Sequence, residues 1–373
     1  MTPLQTPPRV GDRIPPFSLP ANTAASLGMN QFVGKPLVII FYQLDPTGGL
    51  VQQMAAFRDA HQSFQDLGVQ VAAIGTESVE EQRAFADQHS LPFPLLHDPQ
   101  GRMSTFHGVS GHGIRKVLLI APSTHIWAVF EGPAENMLPE RVLAEAKAQL
   151  QKEAPRMIIQ QAPVLLVPEA ITPEIQQRLL DAWEREGNEE YGHISIVDGK
   201  PVRKLDYGHK IRRDHFLKPG GELDAMAKAC LARRVLKEVE FAFHFSITRS
   251  EGLRVGCYDA GRGGYFRMHR DNSTPATAHR RFAMSLLLND DYEGGYLRFP
   301  EYGPHLYRPP ARGAIIFSCS LLHEATDVIA GRRFVLLDFF YGENEVAIRE
   351  ANLRQFGETG QAPAAQQPAQ RPQ

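Results

Sequence analysis

At 373 residues the chain exceeds one ordinary hydrophobic core, so two domains are expected. Its 43% hydrophobic and 22% charged content are those of a globular protein, and a formal net charge of −2 excludes any overall pull toward nucleic acid or anionic membrane. Three cysteines, Cys230, Cys257 and Cys319, make no disulfide framework; with no signal-like N-terminus and no apolar run near the roughly 18 residues of a bilayer span, a cytoplasmic protein is expected.

Residues 1–20 are rich in proline and read as a lead-in arm. Leu37-Val38-Ile39-Ile40-Phe41-Tyr42 is an unbroken apolar run of the kind that forms a buried parallel strand. A Pro/Gly turn follows at Asp45-Pro46-Thr47-Gly48-Gly49. Met54, Phe57, Phe64 and Leu67 recur at near-helical spacing, with Gly68 at the C-cap position. Val69 to Ile74 is a second strand, and Ser78-Val79-Glu80-Glu81 is a capping box that opens another helix. Strands at Leu95-Leu96, Val117 to Ile120 and Ile126 to Phe130, then a helix from Leu138 to Gln151, complete an α/β layer over residues 1–153.

Phe41-Tyr42, Asp45-Pro46-Thr47-Gly48-Gly49 and Ala56-Phe57-Arg58-Asp59 resemble the active-site segment of a peroxiredoxin, a thioredoxin-fold thiol peroxidase. Val10-Gly11-Asp12 and Pro16-Phe17-Ser18-Leu19 resemble that family's opening, and the likeness covers about residues 8–150. It implies a thioredoxin-like fold and matches Arg115 to a substrate-binding arginine. One departure removes the chemistry: Leu50 stands in the place of the peroxidatic cysteine, and no cysteine precedes Cys230. A thiol peroxidase needs a thiolate, which leucine cannot supply. Thr47 and Arg115, which would have polarised that thiolate and the peroxide, are then read as fold elements. The first half is expected to be a non-catalytic docking or substrate-presenting module.

Ala154-Pro155 and Ala162-Pro163 bracket a join, and a second domain is expected over residues 158–348. Val164 to Val167 reads as its first strand. Thr172-Pro173 gives an N-cap and first-turn proline to a helix carrying Leu179, Leu180 and Trp183, and a further helix runs from about Leu223 to Val239. Lys210-Ile211-Arg212-Arg213 reads as a solvated charged face. From Leu253 the texture changes to short strands and Gly/Pro turns, as in a double-stranded β-helix or jelly-roll with flanking helices. The whole is expected to be α/β plus α+β. Residues 358–373, rich in Ala, Gln and Pro, read as a disordered tail.

His269 and Asp271 lie two apart in a stretch that reads as strand, which points both to one side and Arg270 away. His323 follows another apolar strand. Two histidines and one carboxylate form the facial set that holds non-haem Fe(II) and leaves its other face open. Zinc competes for the same donors. His244, His279 and His305 lack a carboxylate two residues on and are given no metal role.

In order along this half stand Tyr258, Gly263-Gly264-Tyr265-Phe266, His269-x-Asp271, Leu288-Asn289, Glu293-Gly294-Gly295-x-Leu297-x-Phe299-Pro300, Pro309, Gly313-x-Ile315-Ile316-Phe317, His323-Glu324 and Gly331-Arg332-Arg333-Phe334. This set resembles the prolyl 4-hydroxylase-like branch of the Fe(II)/2-oxoglutarate dioxygenases over about residues 158–345. The resemblance implies Fe(II) held by His269, Asp271 and His323, with 2-oxoglutarate and O2 as cosubstrates and L-ascorbate as an accessory reductant. It implies an arginine for the distal carboxylate of 2-oxoglutarate about ten residues after His323. Arg333 is in phase with that pattern, and Arg332 is the runner-up facing the other way. Tyr258 is a hydrogen-bond partner for cosubstrate or substrate. Asp271 favours hydroxylation over halogenation, because related halogenases lack that carboxylate. Leu287 departs from members that carry a tyrosine there. Gly263-Gly264 is open between a hairpin turn and a flexible lip, Arg298 reads as solvated, and Cys257 and Cys319 read as buried small hydrophobes. The expected partner is a protein, peptide or small-molecule substrate, with no nucleic acid and no membrane; oligomeric state is left open. The competing function is a non-catalytic redoxin-like scaffold or sensor.

Overall fold

The apolar run near the N-terminus forms the strand Leu37–Gln43, buried along nearly its whole length as a central strand should be. The computed structural model describes residues 7–43, 49–109, 113–150, 157–197 and 200–356. Thr47 and the tail at 358–373 lie outside them, as does the Arg115 side chain. The chain divides into two units, Met1–Arg156 and Met157–Gln373. Among the described residues no helix is long and apolar enough to cross a membrane.

In the first unit five strands run in the order Leu95–His97, Gln70–Gly75, Leu37–Gln43, Gly113–Ile120, Ile126–Glu131. The first three are parallel and the last two antiparallel. Helices Gly49–Asp59, Val79–His89 and Pro139–Leu150 accompany the sheet. Ser78 caps the second of these by accepting from Glu81 N while Glu81 reaches back, the reciprocal arrangement its sequence requires. Leu50 is buried in the core against this sheet with Met54, Phe57 and Phe64.

The second unit pairs an eight-stranded and a five-stranded sheet. Alternation along the strands of the larger sheet sorts side chains into two cores. Met284, Leu286, Phe334 and Leu336 pack with Leu179, Trp183 and Leu231 of the helices Pro173–Arg185 and Glu222–Leu231. Ala283, Leu287, Ile315, Phe317, Val335 and Phe339 point the other way and pack with Leu297, Phe299 and Ala325 of the smaller sheet. The predicted helix from 223 to 239 contains a π-helical turn at Ala232–Leu236 before continuing as Lys237–Phe243. The strands Lys210–Ile211 and Arg213–Phe216 were not legible as strands, because their alternating residues are charged rather than apolar.

Candidate metal centre

The strand Tyr265–His269 pairs antiparallel with His323–Ala325, and the register sets His269 directly opposite His323. The strand ends at His269, so strand alternation does not place Asp271. The carboxylate sits in the following turn, where Asp271 N donates to Cys319 O at 2.9 Å. A second tie holds that turn: Arg280 Nη1 donates to Asp271 O at 3.2 Å while Nε and Nη2 grip Glu251 at 2.6 and 2.8 Å. Arg270 turns away and pairs with Glu301 at 2.6 Å.

Asp271 Oδ1 lies 3.4 Å from His269 Nε2, and Asp271 Oδ2 lies 3.5 Å from His323 Nε2. One donor atom from each of the three residues falls within 4.8 Å of the others. Both imidazoles are oriented from behind. His269 Nδ1 donates to Arg267 O at 2.7 Å and His323 Nδ1 donates to Leu321 O at 3.0 Å. A carbonyl can only accept, so Nδ1 carries the hydrogen and Nε2 keeps its lone pair for a metal. Burial pushes His323 down to about 4 against the attraction of Asp271, which keeps it neutral and able to ligate. Burial raises Asp271, but His323, His269 and Arg280 outweigh it and hold the carboxyl well below its usual range. Two imidazole Nε2 atoms and one ionised carboxylate fit a borderline divalent cation such as Fe(II).

The triad opens onto a cavity of about 520 Å³. Arg333 lines it, buried, on the strand Arg332–Tyr341. Its Nη2 donates to Ser285 Oγ at 3.2 Å, its guanidinium lies 5.1 Å from the Tyr258 ring, and its Nε has no partner among the described residues. Gly295 makes room for it: at φ +59°, a Cβ there would stand 2.7 Å from Arg333 Cδ. Arg332 faces the helix side, exposed, and bonds Glu184 at 2.8 Å. Tyr258 is buried on the strand Arg254–Asp259, with its hydroxyl accepting from Arg212 Nη1 at 3.1 Å.

Arg212 corrects the sequence reading. Lys210 and Arg212 are buried and line the cavity, so Lys210-Ile211-Arg212-Arg213 is not a solvated face. Alternation turns Lys210, Arg212 and Asp214 inward together, and Asp214 closes a two-pronged fork on Arg212 at 2.5 and 2.6 Å. That fork lies across Gly256, where a Cβ would meet Arg212 Cδ at 3.0 Å. The signal for these residues was the spacing Lys-x-Arg-x-Asp, which reads as strand only once a polar interior is allowed. Arg254, in phase with Tyr258, was also missed. Arg298 pairs with Glu324, while Cys257 and Cys319 are buried as expected, Cys257 pushed up by burial to about 12. Gly263-Gly264 is a turn: Gly264 N donates to Asp259 O at 2.9 Å, and Gly263 has φ +68°. His279 Nε2 stands 2.8 Å from Glu251 Oε1 and lies outside the triad.

Residues 10–129 match the model of the AhpC/TSA family, and residues 253–341 that of the 2OG-Fe(II) oxygenase superfamily. The chain is a fusion of these two families. Over 99 residues it is 37% identical to peroxiredoxin Q of Sedum lineare, a match spanning 26% of this chain and 53% of that protein. Over 100 residues it is 32% identical to a putative peroxiredoxin bcp of Coxiella burnetii, spanning 27% and 66%. The chain spans about half the length of most of the curated relatives it matches. Among solved structures it is similar to a peroxidoxin BcpB of Mycobacterium tuberculosis, at 24% identity and a TM-score of 0.35, covering 38% of this chain and 97% of that one. The AhpC/TSA unit thus carries a thioredoxin-like α/β fold, and its Leu50 occupies the core rather than a reactive surface. The oxygenase unit carries the His-Asp-His set.

Proposed function

We propose that the oxygenase unit is an Fe(II)- and 2-oxoglutarate-dependent hydroxylase of the prolyl 4-hydroxylase-like branch, acting on an unactivated C–H bond of a prolyl or other amino-acid side chain. The observation that carries the reading is the convergence on one cavity of a His-Asp-His set and a buried arginine with no carboxylate partner among the described residues. His269, Asp271 and His323 would hold Fe(II) through two Nε2 atoms and one carboxylate oxygen. Arg333 would take the distal carboxylate of 2-oxoglutarate, with Ser285 and Tyr258 fixing the guanidinium. When bound, Fe(II) with O2 supplies the oxidative decarboxylation of 2-oxoglutarate to succinate and CO2, coupled to transfer of one oxygen atom into the substrate. The protein's share is orientation: backbone carbonyls set both imidazoles, and the Glu251–Arg280 fork holds the turn carrying Asp271. Asp271 fills the position that a halogenase leaves open, which favours hydroxylation over halogenation. Trailing Arg333 separates this reading from a hydrolytic zinc site, which needs no such anchor.

The test is succinate release by the purified chain with Fe(II), 2-oxoglutarate and L-ascorbate, together with calorimetric binding of Mn(II). His269→Ala and Asp271→Ala should each remove both signals. Turnover unchanged in these variants would sink the assignment. For the AhpC/TSA unit we propose a docking or substrate-presenting role without thiol peroxidase activity, on the burial of Leu50.

A further inference from the structure

The cavity wall holds more buried basic side chains than an anchor for 2-oxoglutarate uses. Arg212 is closed by Asp214 and Arg280 by Glu251. Arg333 is assigned above. Arg254 and Lys210 remain. The Arg254 side chain is only 10% exposed, its Nε has no hydrogen-bond partner among the described residues, and Asp214 Oδ2 stands 3.6 Å away. That oxygen already accepts from Arg212 Nη2 at 2.6 Å. Among the described residues Lys210 Nζ makes one hydrogen bond, to Gly192 O at 3.1 Å, and burial holds this amine well below the usual lysine range. An enclosed cation without its own counter-charge is costly, and a ligand anion removes that cost.

The surroundings of Arg254 are apolar in a specific way. Its guanidinium carbon lies 5.9, 5.8 and 5.1 Å from the ring centres of Tyr191, Phe216 and Phe339. Such rings tolerate the cation but leave its N–H groups unsatisfied. They also offer a surface for a hydrocarbon body next to the charge. A cavity of about 520 Å³ shared with a cosubstrate suits a small molecule.

We propose that Arg254, supported by Lys210, binds a carboxylate of the hydroxylation substrate, which is a small carboxylic acid whose apolar part lies against Tyr191, Phe216 and Phe339. This rests on the dioxygenase reading and names its substrate class. The cavity then has two anion positions, Arg333 for the cosubstrate and Arg254 for the substrate.

The test titrates 3-phenylpropionate and 4-methylpentanoate, each beside its primary amide, into the full chain with Mn(II) and 2-oxoglutarate. Each acid should bind at least tenfold more tightly than its amide. Arg254→Met should erase that preference while leaving 2-oxoglutarate affinity within about twofold, and Arg254→Lys should restore part of it. Acid and amide binding alike, or neither binding below about 10 mM, overturns the proposal. So does a tenfold loss of 2-oxoglutarate affinity in Arg254→Met, which would make Arg254 the cosubstrate anchor. A tripeptide with a free C-terminal phenylalanine binding more tightly than 3-phenylpropionate would move the site to polypeptide termini and refute the small-molecule assignment. Failure of 2-oxoglutarate to bind through Arg333, read from Arg333→Met, would instead strike the dioxygenase reading alone.

Discussion

Gly295→Ala should uncouple cosubstrate binding from folding in a measurable ratio. The added Cβ would lie 2.7 Å from Arg333 Cδ and 2.8 Å from Val328 Cγ2, so neighbours must shift. Arg333 is hemmed in by the Tyr258 ring and Ser285, so its shift carries the guanidinium with it. Losing one charge-assisted hydrogen bond costs about 1.5–3 kcal/mol, which is roughly 10- to 100-fold in 2-oxoglutarate affinity. The backbone adds a separate cost, since φ +59° is left-handed and alanine there loses about 1–2 kcal/mol. Gly220 isolates that second part: it has φ +72° and no atom within 4 Å of its would-be Cβ. Gly220→Ala should therefore lower the melting temperature by a few degrees without touching cosubstrate affinity. Calorimetric titration of 2-oxoglutarate in the presence of Mn(II), beside thermal melts, separates the two. Equal 2-oxoglutarate affinity in the two variants would refute the reasoning that Gly295 seats the anchor.

Arg332→Ala should cost no more than about 1 kcal/mol and leave 2-oxoglutarate affinity unchanged, because its partner Glu184 is half exposed on the helix side; a large affinity loss would exchange the roles of Arg332 and Arg333. Leu50→Ala should destabilise the AhpC/TSA unit by about 2–5 kcal/mol, read from its urea midpoint, as a core residue rather than a vacated active site. Peroxide consumption by the wild-type chain should be absent; consumption that persists after all three cysteines are replaced would demand a non-thiol route. Burial raises Asp338 to about 6, with Gly252 N and Phe339 N donating to it. A raised carboxyl pKa favours the native state below the ordinary value near 3.8, and that contribution is lost as pH rises through about 6. Asp338→Asn keeps an acceptor and cannot ionise, so it should gain on wild type by about 3 kcal/mol between pH 4 and 8; parallel melting curves across that range would contradict the assignment.

The parts of the fold legible in sequence were those with conventional patterning. The apolar strand Leu37–Gln43, the Ser78 capping box and the Thr172 N-cap with its following proline all lie where residue type alone puts them. His269 was readable at the end of a strand and His323 just after one, although the turn that positions Asp271 depends on Cys319, far away in sequence, and on Arg280. Lys210, Arg212 and Arg254 were not legible as cavity residues. Charge on a strand ordinarily marks its solvent face, and only the fork to Asp214 and the absence of a side chain at Gly256 make an inward arrangement stable.

The strand Arg332–Tyr341 feeds two interiors at once: Phe334 and Leu336 face the helices, while Arg333, Leu337 and Phe339 face the cavity. A slip of one residue in its pairing with Arg254–Asp259 would press Arg333 against Trp183 and Leu179 and hand Phe334 to the anion position. Misregistered chains would therefore lose the proposed cosubstrate anchor and bury an unpaired cation in the same event. If Arg333 anchors the cosubstrate as proposed, selection against misfolding and selection for cosubstrate binding would act on one and the same alternation, and a length change anywhere in this strand should be tolerated by neither.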